Sequence, residues 1–172
     1  MQVAIKNAKI VLGVSAGIAV YKAVEILRLL VKEGADVRVV MSANAGKFVT
    51  PLTFAALSGN PVYHSLFDSQ NSADMEHIRV AENADLLVVA PATASMLGKM
   101  AHGLADDALS NLHLAFKGSV LVAPAMNEGM WEHPAVKNNI DILKSRGVDF
   151  VDPAFGALAC GVTGSGRLAE PS

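Results

Sequence analysis

The stretch IVLGVSAG, residues 10–17, decides the fold class of this chain. It opens with a short apolar run typical of a buried β-strand and continues into a turn that contains two glycines. Apolar residues then recur at helical spacing from Val20 to Val31, and Gly34 stands where a helix would end. The pattern therefore predicts a strand, a turn and a helix in direct succession.

The same alternation of apolar runs and helical patterns continues along the chain. We predict further strands over residues 37–41, 86–90, 120–123 and 148–151, and helices over 51–58, through Lys99 and over 134–146. Strands separated by helices pair in parallel through right-handed crossovers, which places helices on both faces of the sheet. The expected fold class is α/β: a single-domain, three-layer Rossmann-like fold over residues 1–172, with residues 153–172 as a flexible tail rather than an element.

Composition limits the function classes that need to be considered. The 172 residues are 52% hydrophobic and 17% charged with a formal net charge of -2, so the chain can bury a core and has no basic footprint for nucleic acid or a membrane surface. No apolar run is long enough to span a bilayer, and the N-terminus lacks the order of a signal peptide. The lone cysteine, Cys160, cannot form an internal disulfide and indicates a reducing, cytoplasmic compartment.

In parallel sheets, ligands bind beyond the carboxyl ends of the strands, so the residues after each strand are the first candidates. Residues 13–17 combine two glycines with Ser15 ahead of a helix, which suits an anion such as a phosphate. They match neither the dinucleotide fingerprint nor the Walker loop, but they do fit the G-x-S-x-G nucleophile elbow of serine hydrolases. A tight turn without a ligand is the alternative interpretation.

Two further strand ends favour a flat mononucleotide as the ligand. Residues 92–95 supply small side chains and hydroxyls at a second helix start, which suits packing a ring and hydrogen-bonding its edge. Ser42 could contribute in the same way, or it could simply cap the helix that follows. No acidic residue that could bind a ribose diol lies near Met41, which argues against a nicotinamide dinucleotide.

Three polar or reactive side chains complete the candidate site. His77 could act as a base near neutral pH or be a structural histidine, and Asn127 directly follows a strand. Cys160 lies in a glycine-rich tail that could close over a site, and Arg167 and Glu170 could hold the closed form or contact a substrate. The other histidines show no metal-ligand spacing, so no metal site is expected.

Taken together, these segments resemble the homo-oligomeric flavin-containing cysteine decarboxylases. The resemblance covers essentially the whole chain and is carried by residues 13–22, His77, PATAS at 91–95, PAMNEGMW at 124–131, ACG at 159–161 and GSGRL at 164–168. The Pro-x-Met-Asn-x-x-Met-Trp segment is quite specific, and more so when joined to His77 and Cys160. One departure is that Val162 and Thr163 occupy a stretch where the family commonly has an acidic residue.

The resemblance implies an FMN-dependent enzyme that decarboxylates 4'-phosphopantothenoylcysteine to 4'-phosphopantetheine in coenzyme A biosynthesis, through thioaldehyde and ene-thiol intermediates. It implies that His77 is the base, that Asn127 holds the substrate carboxylate or amide, and that Cys160 is the proton donor. The implied FMN-binding residues are Gly13, Val14, Ser15, Ser42, Ala92, Thr93, Ala94, Ser95 and Ala125. The implied substrate-binding residues are Asn127, Met126, Ala157, Leu158, Ala159 and Arg167.

The resemblance also implies partners. Members of this family are trimers or dodecamers built from trimers, with active sites at subunit contacts, so a homo-oligomer is expected. Related bacterial proteins often carry a phosphopantothenate–cysteine ligase domain, of which these residues contain nothing. The end of the chain at Pro171 and Ser172 therefore fits a shortened protein or a stand-alone decarboxylase.

Several alternatives remain beside this interpretation. A peptidyl-cysteine decarboxylase keeps the flavin but needs no donor of the Cys160 type, and flavin prenyltransferases lack the motifs around His77 and Asn127. A serine hydrolase using Ser15 is disfavoured because a nucleophile elbow follows a central strand, whereas Ser15 follows the first strand of the chain. A non-catalytic flavin-binding regulatory subunit is disfavoured because His77, Asn127 and Cys160 are all present.

Overall fold

The centre of the molecule is a five-stranded parallel sheet, and the computed structural model describes residues 5–66, 79–159, 161 and 163–171. The strands are β1 Lys9–Val14, β2 Asp36–Met41, β3 Leu86–Ala92, β4 Ser119–Pro124 and β5 Asp149–Phe150, in the spatial order β2-β1-β3-β4-β5. After β2 the chain crosses back to the other side of β1, so the strand order reverses between β1 and β3. Such a reversal opens a crevice at the carboxyl edge of the sheet.

Helices cover both faces of this sheet. They are α1 Val20–Lys32, α2 Pro51–Ser58, α3 Ala94–His102, α4 Ala108–Ala115, α5 Glu128–Trp131 and α6 Pro134–Ser145, with a 3-10 turn at Ala45–Lys47 and a helical stretch at 79–83. Leu12 packs with Leu27 of α1 on one face, and Leu87 packs with Leu97 of α3 on the other. The three-layer α/β fold is therefore confirmed. No helix within the described ranges is long and apolar enough to cross a membrane.

The predicted strands and helices lie where the sequence patterns put them, with differences of detail. The last strand is shorter than residues 148–151, since β5 comprises only two residues. Helix α4 was not predicted. It begins at a capping box, in which the Asp107 carboxylate accepts hydrogen bonds from the amides of Leu109 and Ser110 at 3.0 and 2.9 Å.

The expectation of a tail without regular elements over residues 153–172 is wrong. Strands β6 Ala154–Ala157 and β7 Thr163–Arg167 form an antiparallel hairpin that is separate from the main sheet. Gly166 has a φ of +112°, and a Cβ there would lie 2.3 Å from the carbonyl oxygen of Met126. This glycine serves close packing of β7 against the segment after β4. The expectation that residues 153–172 close over a site stays a prediction.

Candidate active-site cleft

A cleft of about 730 Å³ opens at the carboxyl ends of β1, β3 and β4. This volume is typical of sites that bind a cofactor or another small molecule. Ten of the predicted site residues line it: Thr93, Ala94, Ser95, Ala125, Met126, Asn127, Ala157, Leu158, Ala159 and Arg167. Five others are buried behind that lining: Gly13, Val14, Ser15, Ser42 and Ala92.

Ser15 joins the loops that follow β1 and β3. Its side chain is 1% exposed, and its hydroxyl donates to the carbonyl oxygen of Pro91 at 2.7 Å while accepting from the amide of Thr93 at 2.9 Å. The Ser15 amide donates to the same carbonyl at 3.2 Å. Because this hydroxyl is buried and already hydrogen-bonded, it cannot serve as the nucleophile of a serine hydrolase.

One alternative for the end of β2 needs correction. The Ser42 hydroxyl does not cap a helix, because it accepts a hydrogen bond from the amide of Ala16 at 3.1 Å, and Asn44 precedes the 3-10 turn. At Gly13, a Cβ would lie 2.5 Å from Cδ1 of Leu109, so the absence of a side chain also makes room for helix α4. The role of Gly13 in binding FMN stays a prediction. We call Ser15, Ser42 and Thr93 the floor.

Residues at the starts of α1 and α3 line the cleft above the floor. Thr93 caps α3 by accepting from the amide of Met96 at 3.2 Å, and its own position is set by Ser15. Ahead of α1, the amides of Gly17, Ile18 and Ala19 have no intramolecular acceptor in the described part of the chain. Such unpaired amides at a helix N-terminus favour an anion.

Asn127 lies on the opposite wall, directly after β4. Its Oδ1 accepts from the amide of Gly129 at 2.8 Å, which caps the short helix α5. Next to it, Met126 donates its amide to the carbonyl oxygen of Gly166 at 2.9 Å. The predicted proximity of Asn127 to the strand-end loops is therefore observed, and the capping bond fixes the direction of its side chain.

The hairpin forms the outer wall of the cleft. The Glu128 carboxylate accepts from the amide of Ser165 at 3.2 Å, and Gly164 leaves the space that this carboxylate occupies, since a Cβ there would lie 2.6 Å from it. Strand β7 is thereby held at the cleft, whereas β6 presents Phe155 at 73% exposure. The outer wall thus has one anchored and one exposed strand.

A charged group that the sequence patterns did not predict as a site residue lies at the base of this wall. Lys22 lines the cleft with its side chain only 5% exposed, and its ammonium donates to the carbonyl oxygen of Leu168 at 3.1 Å and to Oε1 of Glu170 at 2.9 Å. Arg167 also donates to Oε1 of Glu170. The hydrogen bond from Lys22 lowers the pKa of Glu170, and the charges of Lys22 and Arg167 add to this. The sequence signal that could have revealed this group is a lysine in the first turn of the helix that follows the turn at residues 13–17.

His77 and Cys160 lie outside the described residues, so their predicted roles stay predictions. Across the described ranges, no group of three or more His, Cys, Asp or Glu side chains is arranged to hold a metal ion. Among the described residues, the cationic side chains that line the cleft are those of Lys22 and Arg167, and Glu170 is bonded to both.

The comparison with known proteins agrees with this geometry. A family profile described as Flavoprotein matches residues 2–172. The chain belongs to the flavoprotein family. This flavoprotein is 50% identical over 167 residues to the coenzyme A biosynthesis bifunctional protein CoaBC of Bacillus subtilis (strain 168). The match covers 97% of this chain and 41% of that protein, so the chain spans about two fifths of the length of this curated relative.

Solved structures confirm the Rossmann-like flavoprotein fold. A cysteine-to-serine mutant of a PPC decarboxylase, complexed with pantothenoylaminoethenethiol, superposes with a TM-score of 0.86 at 29% identity, over 96% of this flavoprotein and 93% of that chain. The FMN-dependent cysteine decarboxylase SpaF superposes with a TM-score of 0.81 at 30% identity, over 94% and 92% of the two chains.

Proposed function

We propose that this flavoprotein is an FMN-dependent carboxy-lyase that converts 4'-phosphopantothenoylcysteine to 4'-phosphopantetheine in coenzyme A biosynthesis. The observation that carries the proposal is the 50% identity to a coenzyme A biosynthesis protein across 97% of the chain. The strand-end cleft supports it, because its volume and its two cations suit an anionic cofactor and an anionic substrate.

The residues of the cleft fit FMN. Small side chains, those of Ala16, Ala94 and Ala125, leave space for a flat ring between the strand ends. A Cβ on Gly17 would lie 3.4 Å from Cγ2 of Thr93, so glycine keeps the gap between the two loops open. The unpaired amides ahead of α1 suit the phosphate. Bound FMN supplies reversible acceptance of a hydride.

The chain's own residues position the substrate. Asn127, held by its bond to Gly129, would bind the substrate carboxylate or amide, and Lys22 and Arg167 would attract the anion into the cleft. We assign His77 as the base that removes a proton from the substrate and Cys160 as the donor that protonates the ene-thiol. These two assignments rest on the resemblance of their motifs to those of cysteine decarboxylases.

Partners and location belong to the same proposal. We propose a homo-oligomer, a trimer or a dodecamer built from trimers, in the cytoplasm. We further propose that ligase chemistry accompanies the decarboxylase, because the curated relative is bifunctional and the match covers only 41% of it. The exposed Phe155 and Leu52, at 73% and 77%, are candidates for burial between subunits.

The test is mass spectrometry of the products formed when the FMN-loaded protein is incubated with 4'-phosphopantothenoylcysteine. Wild type should release 4'-phosphopantetheine. A Cys160→Ser variant should accumulate the ene-thiol, which is lighter than the product by one hydride and one proton. A parallel incubation with a peptide that ends in cysteine serves as the control for the rival substrate class.

Two results would count against the proposal. A yellow, FMN-loaded wild type that leaves 4'-phosphopantothenoylcysteine unchanged and decarboxylates the peptide would make it a peptidyl-cysteine decarboxylase. A loaded protein that acts on neither substrate would instead favour the flavin-binding regulatory subunit.

A further inference from the structure

A charged contact joins the start of α1 to the segment after β7, which lies near the other end of the described chain. Lys22 lies in the first turn of α1, and its two acceptors, Leu168 and Glu170, come directly after β7. An ammonium that is 5% exposed needs compensation for lost hydration, and here a carboxylate and a carbonyl oxygen provide it. The segment after β7 thus supplies both of these acceptors to the buried ammonium of Lys22.

Arg167, the last residue of β7, lines the cleft and directly precedes this segment. The Glu170 carboxylate accepts from Lys22 and from Arg167, so one anion restrains two cationic side chains of the cleft lining. Between them, Leu168 is buried in the apolar cluster on the α1 face of the sheet. The position of Arg167 is therefore coupled to α1 through Leu168 and Glu170.

We propose that Lys22 and Glu170 form a latch between α1 and the segment after β7, and that Lys22 is a positioning residue that holds hairpin β6–β7 and Arg167 at the cleft. The proposal deepens the proposed function and rests on it, because holding Arg167 matters to the reaction only if an anionic substrate enters this cleft. The latch leaves the floor untouched, since neither residue contacts Ser15, Ser42 or Thr93 through a hydrogen bond in the described structure.

The first experiment is hydrogen exchange of the FMN-loaded protein, read on peptides that cover residues 163–171. We expect Lys22→Met and Glu170→Gln each to speed exchange in this segment by about fivefold. Each variant removes the ion pair between Lys22 and Glu170 that holds this segment against α1. Glu132→Gln is the matched control, because Glu132 is 60% exposed against 59% for Glu170 and also accepts from one lysine, Lys137 at 3.4 Å. It should leave this exchange unchanged.

The second readout separates positioning from general stability. With 4'-phosphopantothenoylcysteine as substrate, Glu170→Gln should raise KM by about fivefold and change kcat by less than about twofold, while the flavin absorption spectrum stays that of wild type. If Lys22→Met fails to fold, Glu170→Gln still decides the question, because the glutamate side chain is largely exposed.

Each outcome has a distinct meaning. Unchanged exchange in Glu170→Gln overturns the latch, and so does a loss in kcat at constant KM. Faster exchange combined with no turnover by wild type supports the latch as a structural contact and overturns the proposed function. Faster exchange with a raised KM supports both.

Discussion

The floor and the hairpin wall of the cleft are held in different ways. The floor is fixed by buried hydrogen bonds between strand ends, with Ser15 at 1% exposure between Pro91 and Thr93. The wall is fixed from outside the sheet by Glu128 and by the contact of Lys22 with Glu170. Because the floor joins strand ends of the main sheet and the hairpin lies outside that sheet, substitutions in the floor should act most on global stability and those in the wall most on substrate affinity.

The largest expected effect comes from removing the hydroxyl that ties the floor together. In Ser15→Ala, the Thr93 amide loses its acceptor and the Pro91 carbonyl loses a donor in a buried place. We expect the free energy of unfolding of the protein without flavin to fall by about 3 kcal/mol, as measured by urea denaturation. The control is Ser95→Ala on the first turn of α3, which is exposed and should change it by less than about 0.5 kcal/mol. Equal losses in the two variants would contradict the role of Ser15.

A smaller effect is expected from a substitution that prevents β7 from packing against the segment after β4. In Gly166→Ala, the new Cβ would lie 2.3 Å from the carbonyl oxygen of Met126, and the backbone has a φ of +112°. We expect β7 to leave its position, KM to rise by about tenfold and the free energy of unfolding to fall by about 2 kcal/mol.

The control for Gly166→Ala separates the clash from the backbone strain. Gly147 has a φ of +85°, a Cβ added to it would meet no atom within 4 Å, and it lies after α6, away from the cleft. Gly147→Ala should cost about 1 kcal/mol and leave KM unchanged. If both variants give the same KM, close packing of β7 is not what shapes the cleft.

The smallest expected effect is a pH dependence of the hydrogen exchange of the wall, residues 163–171. The hydrogen bond from Lys22 and the charges of Lys22 and Arg167 lower the pKa of Glu170. A carboxyl whose pKa is lowered on folding stabilises the fold above its unfolded pKa, and this stabilisation is lost as pH falls through the folded pKa. Exchange of residues 163–171, corrected for intrinsic rates, should therefore stay constant from neutral pH to the ordinary range of glutamate and rise below it. The same pH profile in Glu170→Gln would contradict this assignment.

Much of the floor was predictable because its elements are local. The apolar run before Gly13 and the helical spacing after Gly17 each need only neighbouring residues, and together they place Ser15 at a strand end. The bond from Ala16 to Ser42 was not predictable, because it joins residues 26 positions apart that pattern analysis treats separately. Helix α4 does carry a local signal in the sequence, namely the capping pair Asp107 and Ser110.

The wall was harder to predict for a physical reason. Glycines in residues 153–172 indicate flexibility when considered alone, yet Gly164 and Gly166 make room for Glu128 and for the Met126 carbonyl. Their function depends on partners that come from other parts of the chain. The burial of Lys22 depends in the same way on Glu170, which is 148 residues away.

The most direct test of the division between floor and wall is the dissociation constant of FMN, measured by flavin fluorescence for Ser15→Ala and Gly166→Ala. We predict that Ser15→Ala weakens FMN binding by about tenfold or more, because Thr93 loses the bond that sets its position, while Gly166→Ala keeps the wild-type constant. Equal weakening in both variants, or wild-type affinity in Ser15→Ala, would contradict it.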